Sequence, residues 1–145
     1  MTDAATERVR LVAPGQTYVG KQGITYGAGA SAETVGAEKV CMNVMPMPPG
    51  ARAKAHYHDG IETIAYMLDG ECSVYYGDEL ERRMLVRTGE QVFCPAGVPH
   101  APCNESGAPC TWIVVHSSGS DQTGIVLLPE LDARLAARLA VKAGA

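Results

Sequence analysis

Gly50-Ala-Arg-Ala-Lys-Ala-His56-Tyr-His58-Asp-Gly-Ile-Glu62-Thr-Ile-Ala-Tyr-Met-Leu-Asp-Gly70 is the stretch on which the reading of this chain turns. His56 and His58 are one residue apart. In an extended strand, residues i and i+2 point to the same face, so both imidazoles can reach one point in space. Glu62 follows beyond a short Asp-Gly break. A His-x-His pair with a nearby carboxylate suits a borderline divalent metal. Standing alone, the pair reads first as two surface histidines on a polar strand.

A second stretch changes that balance. Gly89-Glu-Gln-Val-Phe-Cys-Pro95-Ala-Gly97-Val-Pro-His100-Ala-Pro-Cys-Asn104 spaces glycine, proline, glycine, histidine and asparagine in a fixed order. This pattern resembles the second motif of the cupin family, and Gly50 to Gly70 resembles the first. The resemblance is to small single-domain bacterial cupins with a short gap between motifs. It implies an all-β fold: a double-stranded β-helix, or jelly-roll barrel. It also implies that His56, His58, Glu62 and His100 hold one divalent metal inside the barrel. The metal expected is Fe, Mn, Ni or Zn, since the same ligand types accept several.

One count departs from the family pattern. The interval between Glu62 and Gly70 is one residue longer than usual. Glu62 shares strand parity with Ile64, Tyr66 and Leu68, whereas Thr63 shares parity with Ala65 and Met67. If Thr63 took the ligand position, a three-histidine site would remain. Glu62 is the expected ligand, because a carboxylate is the stronger donor and a bulge near Asp59-Gly60 would turn it inward.

The rest of the chain fits a barrel. Its 145 residues suffice for one domain, and 16 glycines and 9 prolines suit many short strands joined by turns. Expected strands run over 7–13, 18–26 (bent at Gly20 and Gly23), 38–45, 52–58, 61–68, 71–76, 80–87, 91–94, 110–117 and 124–128. Asp69-Gly70 is the strongest hairpin signal. The prolines from Pro46 to Pro49 are expected to end their strand. Leu128, Leu131, Leu135 and Leu139 recur at helical spacing, which predicts an amphipathic helix over about 129–140. The expectation is a single domain over 1–145, with a barrel core near 38–118 and a helix packed on the barrel or on a partner.

Charge and cysteine usage exclude some functions. The net charge of -4 and the lack of a basic block argue against nucleic acid and anionic membranes as partners. The odd number of cysteines, five, contains no Cys-x-x-Cys pair. With a polar N-terminus and no apolar run of membrane length, this favours a cytoplasmic setting.

Beyond the metal set, His116 and Tyr66 are candidate catalytic residues: His116 as an acid or base on a late strand, Tyr66 as a cavity residue if Glu62 is one. Arg52 and Lys54 share the face of His56 and are candidates for receiving an anionic group at the pocket mouth. No cofactor other than the metal is expected. The function implied is a metal-dependent enzyme on a small organic substrate, first an Fe(II)-type dioxygenase. The alternatives are a non-redox isomerase, lyase or decarboxylase, or a non-catalytic small-molecule-binding protein. The resemblance also implies a homodimer.

Overall fold

The computed structural model describes residues 8–144. The start of the first expected strand, at residue 7, therefore lies outside the described residues, as do residues 1–6 and 145 of the expected domain. Residues 8–13 form no strand and are largely exposed.

Among the described residues, eleven strands build two antiparallel sheets. The strands are β1 (Thr17–Val19), β2 (Thr25–Gly27), β3 (Cys41–Met47), β4 (His56–His58), β5 (Thr63–Asp69) and β6 (Glu71–Tyr76). They continue as β7 (Arg82–Arg87), β8 (Gln91–Cys94), β9 (His100–Cys103), β10 (Cys110–His116) and β11 (Ile125–Leu127). One sheet has the order β1-β2-β3-β10-β5-β8 and the other β11-β4-β9-β6-β7. The described residues also form two helices: α1 (Ala32–Val35) and α2 (Pro129–Gly144). No described helix is long and apolar enough to cross a membrane. The architecture is a double-stranded β-helix, or jelly-roll barrel, as expected.

The two sheets face each other over an apolar core. Met45, Met47, Met67, Val74, Val86, Trp112 and Val114 fill it. Alternation explains the selection. In β3 and β10, every second residue is buried: Cys41, Asn43, Met45 and Met47 in one, Cys110, Trp112, Val114 and His116 in the other. Gly70 closes the β5–β6 hairpin at φ 89°, and a Cβ there would come within 2.9 Å of the Cys110 Cα. Glycine is thus required twice, by the turn and by the close approach of β10.

The outer face of the five-stranded sheet is covered by the chain itself. Leu135 of α2 packs on Tyr75, Ala101 and Cys103, with Leu128, Leu131 and Leu139 around it. Asp132 pins the helix, accepting from the Ala55 N–H at 2.9 Å and pairing with Arg52. Leu80 lies beneath α2 in a left-handed conformation, φ 53°, its carbonyl accepting from Arg138 at 2.8 Å.

Several boundaries differ from expectation. β3 runs through Pro46, because β2 pairs with it only at Val44 and leaves that edge without a ladder to break. The strand expected over 52–58 is reduced to β4, preceded by a single bridge from Arg52 to Cys103. The strand expected over 18–26 is two strands around the Gly20–Gly23 turn. The loop expected over 27–36 contains α1, capped by Ser31. The helix α2 extends to Gly144, since its alanine-rich end keeps helical propensity after the leucine pattern stops. The strand β9, which carries His100, was not among those expected.

Candidate metal centre

His56 and His58 point inward from β4, as their spacing requires, and both are buried. His100 begins β9 and stands directly opposite His56 in the ladder. Its approach is fixed by the turn before it. The Gly97 N–H donates to the His58 carbonyl at 2.8 Å, with Gly97 at φ 81°, a conformation that favours glycine. Asn104 locks the far end of the motif. Its Nδ2 donates to the carbonyls of Met47 and Ala108 at 2.9 and 2.8 Å.

The three rings converge. Ring centroids lie 5.1 Å apart for His56 and His58, 4.4 Å for His56 and His100, and 5.3 Å for His58 and His100. One nitrogen from each lies within 4.8 Å of the others. The His56 Nδ1 faces the Lys54 carbonyl at 2.6 Å, and the His100 Nδ1 faces the Val98 carbonyl at 3.0 Å. Both carbonyls require an N–H there, which leaves each Nε2 with a free lone pair. Anchoring a ring through its second nitrogen is the usual support for a metal-bound imidazole. The His58 Nδ1 is buried without a hydrogen-bond partner. The donor set therefore fits a divalent ion of the borderline class.

Burial keeps these rings neutral. Desolvation lowers the His56 pKa to about 3 and that of His58 to about 2, with the neighbouring imidazoles adding to both. His100 is lowered by desolvation as well. Neutral imidazole is the form that ligates a metal.

A fourth histidine enters from the opposite sheet. His116 ends β10, with its ring centroid 4.9 Å from that of His58. Its Nδ1 lies 2.7 Å from the Thr63 hydroxyl. Desolvation lowers its pKa to about 4, against an opposing pull from Asp121. All four histidines of the chain thus line one cavity of about 50 Å³, otherwise walled mainly by Met45, Val74, Val92, Trp112 and Val114. Among the described residues, no carboxylate lines it.

Glu62 does not join this group, and the structure corrects that expectation. It is exposed and lines a shallow depression on the outside of the six-stranded sheet, beside Lys39 and Val40. The cause is register. Thr63 pairs with His116 on one side and Cys94 on the other, which fixes the alternation from the first residue of β5. The backbone of Glu62 is itself held by Ser117, through bonds of 2.9 and 3.0 Å. The ladder with β10 does shift, but at Thr111–Trp112, the far end of β5. Thr63 is consequently the inward residue. Tyr66 is also corrected: it shares the parity of Glu62 and lies on the outer face. Arg52 is engaged with Asp132, and Lys54 is exposed, so neither lines the cavity.

Gln22 and Tyr26 also line the cavity, and the sequence did not point to them as site residues. Gln22 lies in the turn between β1 and β2, where no periodic signal exists. For Thr63, the signal was its shared parity with Ala65 and Met67.

The pKa shifts set a pH dependence. Unfolded histidines take up protons near the ordinary 6.5, whereas His56 and His116 when folded do so only near 3 and 4. Between these limits the unfolded chain binds more protons, so stability falls as pH falls. Metal-free protein is expected to hold its full stability above about pH 6.5 and to lose it progressively toward pH 4. Urea midpoints measured across that range check this; a flat profile would refute buried neutral imidazoles.

Comparison with known proteins agrees with this fold. The family model described as "Cupin domain" matches residues 43–116, just over half of the chain. The chain resembles the TT1209 protein of Thermus thermophilus, with 34% identity and a TM-score of 0.52 over 57% of this chain and 75% of that one. It also resembles a Klebsiella pneumoniae protein with a double-stranded β-helix domain (17% identity, TM-score 0.59, 86% and 94% of the chains covered). An oxalate oxidase in complex with the substrate analogue glycolate shares the fold at 22% identity, TM-score 0.65, over 88% and 66% of the chains. No curated protein matches the sequence.

Proposed function

Because this chain belongs to the cupin domain family, we propose that it is a metal-dependent enzyme of the Fe(II)-type dioxygenase class, acting on a small anionic substrate that chelates through oxygen. The observation that carries this reading is the neutral ligand set: three buried imidazoles with no described carboxylate beside them. Three neutral donors leave both charges of a divalent ion uncompensated by the protein. In a low-dielectric cavity that charge draws an anion strongly. With only three protein donors, a bound divalent ion would also have room for an oxygen-chelating substrate and a further small ligand. When bound, an iron ion would supply the redox and templating chemistry.

The chain's own residues then have defined tasks. His56 and His100 are held in one tautomer by the carbonyls of Lys54 and Val98, so their Nε2 atoms are committed ligands. Met45, Val74, Val92 and Val114 exclude water from the substrate side. His116 faces the histidine triad from the other sheet. With Nδ1 tied to Thr63, its Nε2 is free to hold or give a proton at the substrate.

Metal analysis followed by O₂ uptake tests the proposal. The isolated protein should carry close to one divalent ion per chain, or bind Fe(II) anaerobically to that level. Oxygen consumption should then depend on Fe(II) and on a small oxygen-chelating acid, with oxalate and glycolate among the first tried. Failure to bind any divalent ion would remove the enzyme reading. Metal binding and turnover without O₂ uptake would favour the non-redox lyase or isomerase alternative.

A further inference from the structure

The metal cavity is small for the chemistry proposed in it. Its volume of about 50 Å³ is the space of roughly two waters at ~30 Å³ each. An ion with a chelating acid group would fill it, so a longer molecule must extend through a gap in the wall. The strand order places such a gap. β8 ends the six-stranded sheet and β7 ends the five-stranded sheet, so no ladder crosses the barrel wall at this seam. A second cavity, of about 240 Å³, lies there. Phe93 of β8, Tyr76 of β6 and Met84 of β7 line it, with Pro95 and Val98 from the turn before β9. Val92, Cys94 and His100 line both cavities. Phe93 and Pro95 are exposed, which places the outer cavity at the surface.

The wall toward the β1–β2 side is closed. A polar cavity of about 590 Å³, lined by Ser31, Asn43 and Asp121, lies beyond it. Among the described residues, it shares none with the metal cavity. Tyr18 on its side stacks on Tyr26 on the metal side, with ring centroids 5.2 Å apart, and the Tyr18 hydroxyl donates to Asp121. The Gln122 Nε2 donates to the Gln22 Oε1 at 3.4 Å across the same partition.

We infer that the seam cavity receives an apolar tail of the substrate while the acid head sits at the metal, with Cys94 at the passage and Met84 in the outer cavity setting the tail that fits. This inference rests on the metal-dependent reading above. The passage is suited to a hydrocarbon chain. Val92 is buried beside it, and the described lining of the outer cavity carries no carboxylate, lysine or arginine. The Cys94 thiol stands outside the cluster of three histidines, and burial pushes it up to about 11. It is therefore a small, uncharged piece of wall at neutral pH. The substrate class indicated is a short-chain aliphatic acid whose second oxygen lies next to the carboxylate, as in 2-oxo and 2-hydroxy acids.

A chain-length series tests this. The full chain is loaded with Co(II), whose visible absorption reports ligand exchange at the ion. It is then titrated with pyruvate, 2-oxobutanoate, 2-oxopentanoate and 2-oxohexanoate. Affinity should rise about fourfold per methylene, the ~0.8 kcal/mol of burying each, and so ~15-fold from pyruvate to 2-oxopentanoate. Met84→Trp fills the outer cavity without lining the metal cavity, and should flatten the series. Cys94→Ala widens the passage and should keep the rise. A flat wild-type series, or a rise that survives Met84→Trp, would overturn the inference and leave the metal reading standing. Failure to bind Co(II), or a bound ion that none of the four acids perturbs, would overturn both.

Discussion

His100→Ala is expected to abolish stoichiometric metal binding, with affinity falling at least ~100-fold, while Glu62→Gln leaves affinity unchanged. His100 is the one donor of the triad that does not come from β4, so its loss leaves two imidazoles from a single strand. Two donors cannot define a coordination sphere, and the described lining of the small apolar cavity supplies no substitute carboxylate. Removing even a supporting contact to a ligand typically costs 10- to 100-fold, so removing the ligand itself should cost more. Glu62 is exposed on the outer face. Competitive titration with a chromophoric chelator measures both variants. A large loss in Glu62→Gln would show that the carboxylate swings inward when metal binds, and would restore the four-ligand set.

Trp112→Ala is expected to be the most damaging substitution in the core. Trp112 is 1% exposed at the centre of β10, between Met45 of β3 and Met67 of β5. Truncating a buried tryptophan costs about 3–5 kcal/mol, from lost transfer energy and the void left behind. For a domain of this size each kcal/mol moves the melting temperature by roughly 3–5 °C, so a fall on the order of 10–20 °C is expected. Because Trp112 also walls the cavity, its loss should enlarge the cavity and loosen the support of the metal centre. Trp112→Phe, which keeps most of the apolar volume, should lose far less. Calorimetry checks both, and equal losses would place the damage elsewhere than in the void.

The parts that were legible in the sequence are those written in local signals. The Asp69-Gly70 turn and the strands beside it follow from turn chemistry and alternation. The convergence of His56 with His58 follows from strand geometry, and their meeting with His100 from the two motifs together. The leucine spacing announced α2. The inward face of β5 was not legible in this way. Whether Glu62 or Thr63 points inward depends on pairing with His116 and Cys94, which lie 53 and 31 positions downstream of Thr63. A carboxylate near two histidines suggested a ligand, but a one-residue slip moves every side chain to the other face. The passage of β3 through Pro46 has the same character, since a proline is tolerated where a neighbouring strand has ended.

The pairings that bring the histidines together also bear on how the molecule assembles in time. β3 waits for β10, and β4 for both β9 and β11, so neither sheet closes from neighbouring hairpins alone. The entropy of closing these long loops must be met before the contacts reward it, which places such chains among slow folders, in the millisecond-to-second range. An ion arriving early meets only the two imidazoles of β4. The third comes from β9, which must first pair with β4. On the proposed metal reading, an ion added to the protein is therefore expected to slow unfolding while leaving the rate of folding nearly untouched, which stopped-flow kinetics with and without metal would check.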